Sequence, residues 1–163
     1  MKPKPLLWGL PLLALVILSV VWLKLPAEDG VMHVYKTPTC GCCDDWVEQM
    51  REAGFNLRTE NLNSLNEVKQ RLGVAPSLGS CHTAVIEGYV IEGHVPAQDI
   101  RRLLLERPEI TGLAVPGMPH GSPGMETGHF DAFAVIAFDH ARDEWSIWSE
   151  YHQPQDWTAQ EAP

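Results

Sequence analysis

Two kinds of hydrophobic patterning divide the chain. From Leu6 to Leu23 the sequence is almost unbroken apolar, with only Gly9, Pro11 and Ser19 as exceptions, and Lys2 and Lys4 stand before it. A secretory apolar core is about 7–15 residues long, whereas a spanning helix needs about 17–25. No good small-x-small cleavage site follows, since Ala27 is preceded by Pro26 and Leu25. Residues 1–27 are therefore expected to form an uncleaved membrane anchor, with a cleaved signal segment as the alternative. The positive-inside rule places the amino terminus in the cytoplasm and exports the rest.

Beyond a short linker the pattern alternates between periods of two and of about 3.6 residues. Met32–Lys36 reads as a strand ended by Thr37-Pro38. Trp46, Val47 and Met50 fall at helical spacing and predict a helix over 44–53, stopped by Gly54. Phe55, Leu57 and Thr59 alternate in a second strand over 55–61. Ser64 and Glu67 have the spacing of a capping box and predict a helix over 64–72, stopped by Gly73. A Pro76 loop leads to strands over 82–86 and 89–91, joined through Glu87-Gly88 as a hairpin. Ile100, Leu103 and Leu104 line a helix over 97–106, ended by Pro108. The order is β-α-β-α-β-β-α.

Residues 111–129 read as one long loop rich in Gly, Pro and Met; loops of that length in a compact domain are usually functional or disordered. Two strands follow, over 132–139 and 145–150. The organisation expected is an anchor or signal segment over 1–27, one α/β domain over 28–152 and a loose polar tail over 153–163.

Composition narrows the function. The formal charge is −9 over 163 residues. Without Lys2, Lys4 and Lys24, nine basic and 21 acidic residues remain, a formal −12. Such a surface excludes nucleic acid as the main partner, because phosphate binding needs a basic face. It suits cations, although solubility explains it equally well. The four cysteines are too few for a disulfide scaffold.

The cysteines are unevenly placed. Cys40, Cys42 and Cys43 sit between the first strand and first helix, where the helix dipole and free backbone N–H groups favour thiolate. Cys40 and Cys43 have Cys-x-x-Cys spacing, and in this element order that is the thioredoxin pattern. One structural disulfide is the plainest alternative. Cys42 is awkward for a pure dithiol exchanger, which needs two cysteines, whereas three thiolates in one turn suit a soft cation. Topology carries Cys81 and His82, at the start of the third strand, toward that helix terminus; a buried cysteine beside a surface histidine is the simpler reading.

His94 lies just before the last predicted helix, as a structural hydrogen-bonding group or a ligand. Met118 and Met125 stand in the long loop with His120 between them and His129 after. Thioether selects monovalent copper and adds little for zinc. Packing of the loop's methionines over the domain is the bland alternative. His33, His140 and His152 read as ordinary strand or surface residues. Asp44 and Asp45 offset the helix dipole, and they and Glu126 are candidates to orient ligands. Thiolate, imidazole and thioether together point to copper(I). Zinc is the competitor, but the spacing fits no zinc finger or ribbon. Vicinal thiolates can also bridge several ions.

The strings TPTCGCCDDW, SCHTAVIEGYVIEGHVPAQDIRRLL and GLAVPGMPHGSPGME resemble, in that order, the CopG-like copper-resistance proteins. That bacterial family was long known only as a domain of unknown function, and the resemblance spans about residues 32–138. It implies a thioredoxin-like fold, a periplasmic location, a cysteine-bridged copper cluster and copper redox chemistry. Carried over, Cys40, Cys42, Cys43 and Cys81 would be the cluster thiolates. His82, His94, Met118 and Met125 would stand in or near the site. His120 departs from the apolar residue expected there.

The reading is an exported copper-binding protein of copper resistance, anchored to the inner membrane if residues 1–27 are retained. Its cargo is Cu(I), and its expected partner is a periplasmic efflux or redox protein. Two rivals remain. One is a thiol-disulfide oxidoreductase in which Cys40 attacks and Cys43 resolves. The other is a copper chaperone without redox chemistry. A copper oxidoreductase activity is compatible with this reading.

Overall fold

The computed structural model describes residues 30–154 and Asp156. The expected anchor over 1–27 lies outside the described residues. Among those described, no helix is long and apolar enough to cross a membrane.

The elements follow the order expected from sequence. They are β1 (Val31–Lys36), α1 (Gly41–Glu52), β2 (Asn56–Asn61), α2 (Asn66–Arg71), β3 (His82–Ile86), β4 (Tyr89–Glu92) and α3 (Ala97–Glu106). Three strands complete the chain: β5 (Gly112–Ala114), β6 (Phe133–Asp139) and β7 (Glu144–Tyr151). All seven strands form one mixed sheet in the order β2-β1-β3-β4-β5-β6-β7. β1 runs parallel to β2 and antiparallel to β3, and β4 runs parallel to β5. The remaining neighbours are antiparallel.

Strand alternation builds two cores. Ile91, Leu113 and Ala137 face one side, where they meet Met32 and Val34 of β1, Trp46, Val47 and Met50 of α1, and Ile100 and Leu103 of α3. Their immediate neighbours Val90, Ala114 and Phe138 point to the other face, as a period of two requires, and pack with Val74, Leu72 and Leu78. Each buried side chain of Leu, Ile or Met size contributes about 1.5–3 kcal/mol. The Glu87-Gly88 turn has positive φ at both residues (47° and 88°), the two-residue hairpin geometry that matches strand twist.

Several boundaries differ from expectation. α1 starts at Gly41, not residue 44, so Cys42 and Cys43 lie inside its first turn and Cys40 is its N-cap. α2 starts at Asn66 without the expected capping box; Ser64 Oγ instead accepts the Asn66 N–H (3.3 Å), two residues on. Residues 111–129 are not one loop. Gly112–Ala114 form β5, which bridges β4 to β6 and joins the C-terminal strand pair to the sheet. β5 was hidden because it is three residues long and opens on a glycine. That glycine is needed: a Cβ there would lie 1.9 Å from the Val90 carbonyl oxygen. The start of the tail is a closed turn, in which Asp156 Oδ2 accepts the His152 and Gln153 N–H groups.

Candidate metal centre

Three chain segments converge at the N-terminus of α1. The first is Cys40–Cys43 itself. The second is the run into β3, which delivers Cys81 and His82. The third is the turn after β4, which delivers His94. Trp46 ties the helix to that turn, its Nε1–H donating to the Val95 carbonyl (3.0 Å). Gly93, at φ 71°, lets the turn pass close to Ser80 and the Val115 carbonyl, where no Cβ fits.

One ligand atom from each of Cys40, Cys42, Cys43 and Cys81 can be drawn within 4.8 Å of all the others. The same holds for Cys81, His82 and His94. Cys40 and Cys43 are joined as a disulfide, while Cys42 and Cys81 are free thiols. Cys42 Sγ lies 3.6 Å from Cys40 Sγ and 3.9 Å from Cys81 Sγ. Two sulfurs holding one ion through bonds of about 2.3 Å stand about 3.8 Å apart if tetrahedral and about 4.6 Å if linear. The sulfur spacing therefore fits shared metal ions, once the disulfide is reduced.

The histidines are prepared as neutral donors. His94 is fully buried, and its Nδ1–H donates to the Pro123 carbonyl at 2.7 Å. A carbonyl only accepts, so the proton is on Nδ1 and the Nε2 lone pair faces Cys81 Sγ at 3.0 Å. Burial pushes the His94 imidazole below its ordinary range, against the Pro123 hydrogen bond. His82 is likewise buried, packed between Trp46 (centroids 4.4 Å) and His94 (5.0 Å). Burial and the neighbouring His94 hold His82 well below the ordinary imidazole range. Its Nδ1 lies 3.5 Å from Cys81 Sγ, so that nitrogen is the one turned to the cluster, while its Nε2 is buried without a hydrogen-bond partner. Burial, reinforced by Cys42, pushes the Cys81 thiol up to about 12. Its S–H therefore donates to His94 Nε2, and a soft cation would occupy the place of that proton.

The loop over 115–132 closes the site. Gly124 (φ 79°) sits so tightly on α1 that a Cβ would lie 2.6 Å from the Cys42 carbonyl oxygen and 2.7 Å from Trp46 N. Glu126 Oε1 accepts from Gln49 Nε2 (2.9 Å) and Gly124 N (3.1 Å), latching this turn to the helix. Met125 is half-buried beside the turn, and Met118 is 52% exposed on the loop's outer arm. The structure thus gathers the four cysteines, His82 and His94, and leaves Met118 toward solvent.

Two buried charges near the site escaped the sequence. Lys36 ends β1 only 3% exposed, donating to the Thr37 carbonyl (2.9 Å) and pairing with Asp44 (3.1 Å). Glu92 is fully buried, bonded to Lys69, Thr83 Oγ1 (2.7 Å) and the Ser80 N–H (2.6 Å). Burial raises the Glu92 carboxyl, and Lys69 works against that rise. This network fixes the backbone on both sides of Cys81. A lysine closing an alternating strand is a visible signal; a Lys–Glu pair 23 residues apart is not.

A mixed α/β domain with clustered cysteines and neutral imidazoles at a helix N-terminus defines a candidate soft-metal-binding protein. A family model described as "Protein of unknown function, DUF411" matches residues 78–125. No curated protein matches the chain. Two solved structures, "Copper resistance protein copG- Form 1" and "Form 2", are each 44% identical, with a TM-score of 0.72. Each match covers 77% of this chain and 100% of that one. The chain belongs to the CopG copper-resistance family.

Proposed function

We propose that this protein binds Cu(I) through Cys40, Cys42, Cys43 and Cys81 at an exported, periplasmic location, in the service of copper resistance. The observation that carries this reading is the convergence of four sulfurs from two segments, with His94 Nε2 aimed at Cys81. Thiolate sulfur selects Cu(I) over harder ions. His94 and His82 supply imidazole nitrogen, and four thiolates so close can bridge more than one ion. Met125 is a supplementary thioether donor on the covering loop, and Met118, exposed on its outer arm, joins it only if that arm turns inward. The helix terminus and the buried, uncharged histidines favour a thiolate-bound cation over free thiols. Residues 1–27 hold the domain at the inner membrane if they are retained, and the delivery partner is an efflux or redox protein of the same compartment. Sequestration, relay and Cu(I)/Cu(II) cycling are all compatible with such a site.

The disulfide favours a second reading, thiol-disulfide exchange by Cys40 and Cys43 in a thioredoxin-like frame. Cys42→Ser separates the two. Titration of the reduced protein with Cu(I) against a chromogenic chelator should show lower copper stoichiometry in the variant. Undiminished stoichiometry together with retained disulfide reductase activity would favour the exchanger.

A further inference from the structure

Lys36 is a buried cation beside the cysteine turn. It follows Met32 and Val34 on the face of β1 that α1 covers, and it is only 3% exposed. Directly opposite it on β3 stands His82, itself fully buried, and residues so opposed share one face of the sheet. Its Nζ donates to the Thr37 carbonyl (2.9 Å), the same oxygen that accepts the Cys40 N–H (3.2 Å). Its ion pair reaches the far end of the turn, to Asp44 Oδ1 (3.1 Å) immediately after Cys43. Lys36 thus sits against His82 and against both ends of the segment that carries three of the four cysteines.

The metal-free protein answers this charge only in part. Asp44 is 61% exposed, and a pair with one solvated partner is screened by water. A buried cation is costly unless an anion meets it. The thiolates of a metal-bound site supply that anion. Four thiolates around one monovalent ion leave three negative charges, and around one divalent ion they leave two. We infer that Lys36 is a specificity-determining residue of the cysteine site: its fixed positive charge favours thiolate-bound metal over neutral thiols, and favours a monovalent soft cation over a divalent one. The attraction grows with the negative charge of the complex, and burial strengthens it. Hydrogen bonding to Thr37 alone would hold the turn equally well for either ion, so selectivity separates the charge from mere support. The identity of the monovalent ion rests on the copper(I) reading; the placement of the charge does not.

The test uses the full chain, reduced and anaerobic, with Lys36→Gln, which removes the charge and keeps a donor for Thr37. Cu(I) affinity, read against a chromogenic chelator, should fall about tenfold, and Zn(II) affinity by less. Equal losses for the two metals would overturn the selectivity. A second readout needs no metal. At Cys40, located by mass spectrometry, the ratio of alkylation rates with anionic iodoacetate and neutral iodoacetamide should drop about twofold or more in the variant. A merely structural change would move both rates together, so an unchanged ratio would overturn the role of the charge. If Lys36→Gln does not fold by circular dichroism, Lys36→Met fills the buried space without the charge and takes its place. An unaltered chain that binds no Cu(I) would overturn the copper(I) reading and the selectivity with it, while the alkylation ratio still decides whether Lys36 acts on the cysteines.

Discussion

His94 holds its Nδ1 against the Pro123 carbonyl at 2.7 Å and its Nε2 against Cys81 Sγ at 3.0 Å. The first contact fixes the tautomer and the second is where the resulting lone pair is used. Pro123 belongs to the covering loop, so the segment that covers the site also fixes the tautomer of this histidine. His94→Gln should weaken Cu(I) binding by about 10- to 100-fold, with far-ultraviolet circular dichroism unchanged. Competition with a chromogenic Cu(I) chelator measures it; unchanged affinity would make His94 purely structural.

Gly124 is where the loop touches the helix. Gly124→Ala places a Cβ against the Cys42 carbonyl and Trp46 N, at a φ of 79° that alanine disfavours. The strain is about 1–3 kcal/mol, and it is relieved by lifting the loop. Thermal unfolding should show the loss of stability, and stopped-flow transfer to a chelator should show faster copper release.

The disulfide withholds two of the four sulfurs. Protein kept oxidised should therefore bind less Cu(I) than protein reduced under anaerobic conditions, with the difference restored on reduction. Equal stoichiometry in both states would remove Cys40 and Cys43 from the ligand set.

Cys81 sets an alkaline limit on the metal-free protein. Its ordinary value of 9.0 is raised to about 12 by burial and by Cys42. Between those values the folded chain keeps a proton that the unfolded chain releases. The folded state then binds more protons, so stability falls as pH rises from about 9 toward 12. Burial and Asp99 also raise Tyr151, which adds the same sign above its ordinary value of 10.0. Denaturant titrations across this range should show the decline, and Cys81→Ser should remove its lower part.

Lys69 and Glu92 test the scaffold behind Cys81. Lys69→Met leaves the Glu92 carboxylate buried without its cation and should cost about 3–5 kcal/mol. Adding Glu92→Gln removes that uncompensated charge and should recover part of the loss. Chemical denaturation of the two variants makes the comparison.

The gathering of the four cysteines was legible because cysteine placement and element order are both local signals. A cluster before a helix and a cysteine at the start of β3 need only the topology to be brought together. What stayed hidden depends on contacts between distant segments. Gly112–Ala114 carries too few residues to show a strand period, and its role as a bridge appears only once Val90 and Phe138 lie on either side. Glu92 reads as a strand-end polar residue until Lys69, Thr83 and Ser80 surround it. The Pro123 carbonyl has no sequence signature at all. The helix start was misplaced by three residues because Gly41 and two cysteines carry little helical propensity; the sheet and the covering loop hold them there.

Metal analysis of the full chain, purified anaerobically from copper-fed cells, tests the central claim most directly. Copper bound in amounts that fall when Cys42 or Cys81 is changed to Ser is the expected result. Zinc at one equivalent with no copper would contradict it.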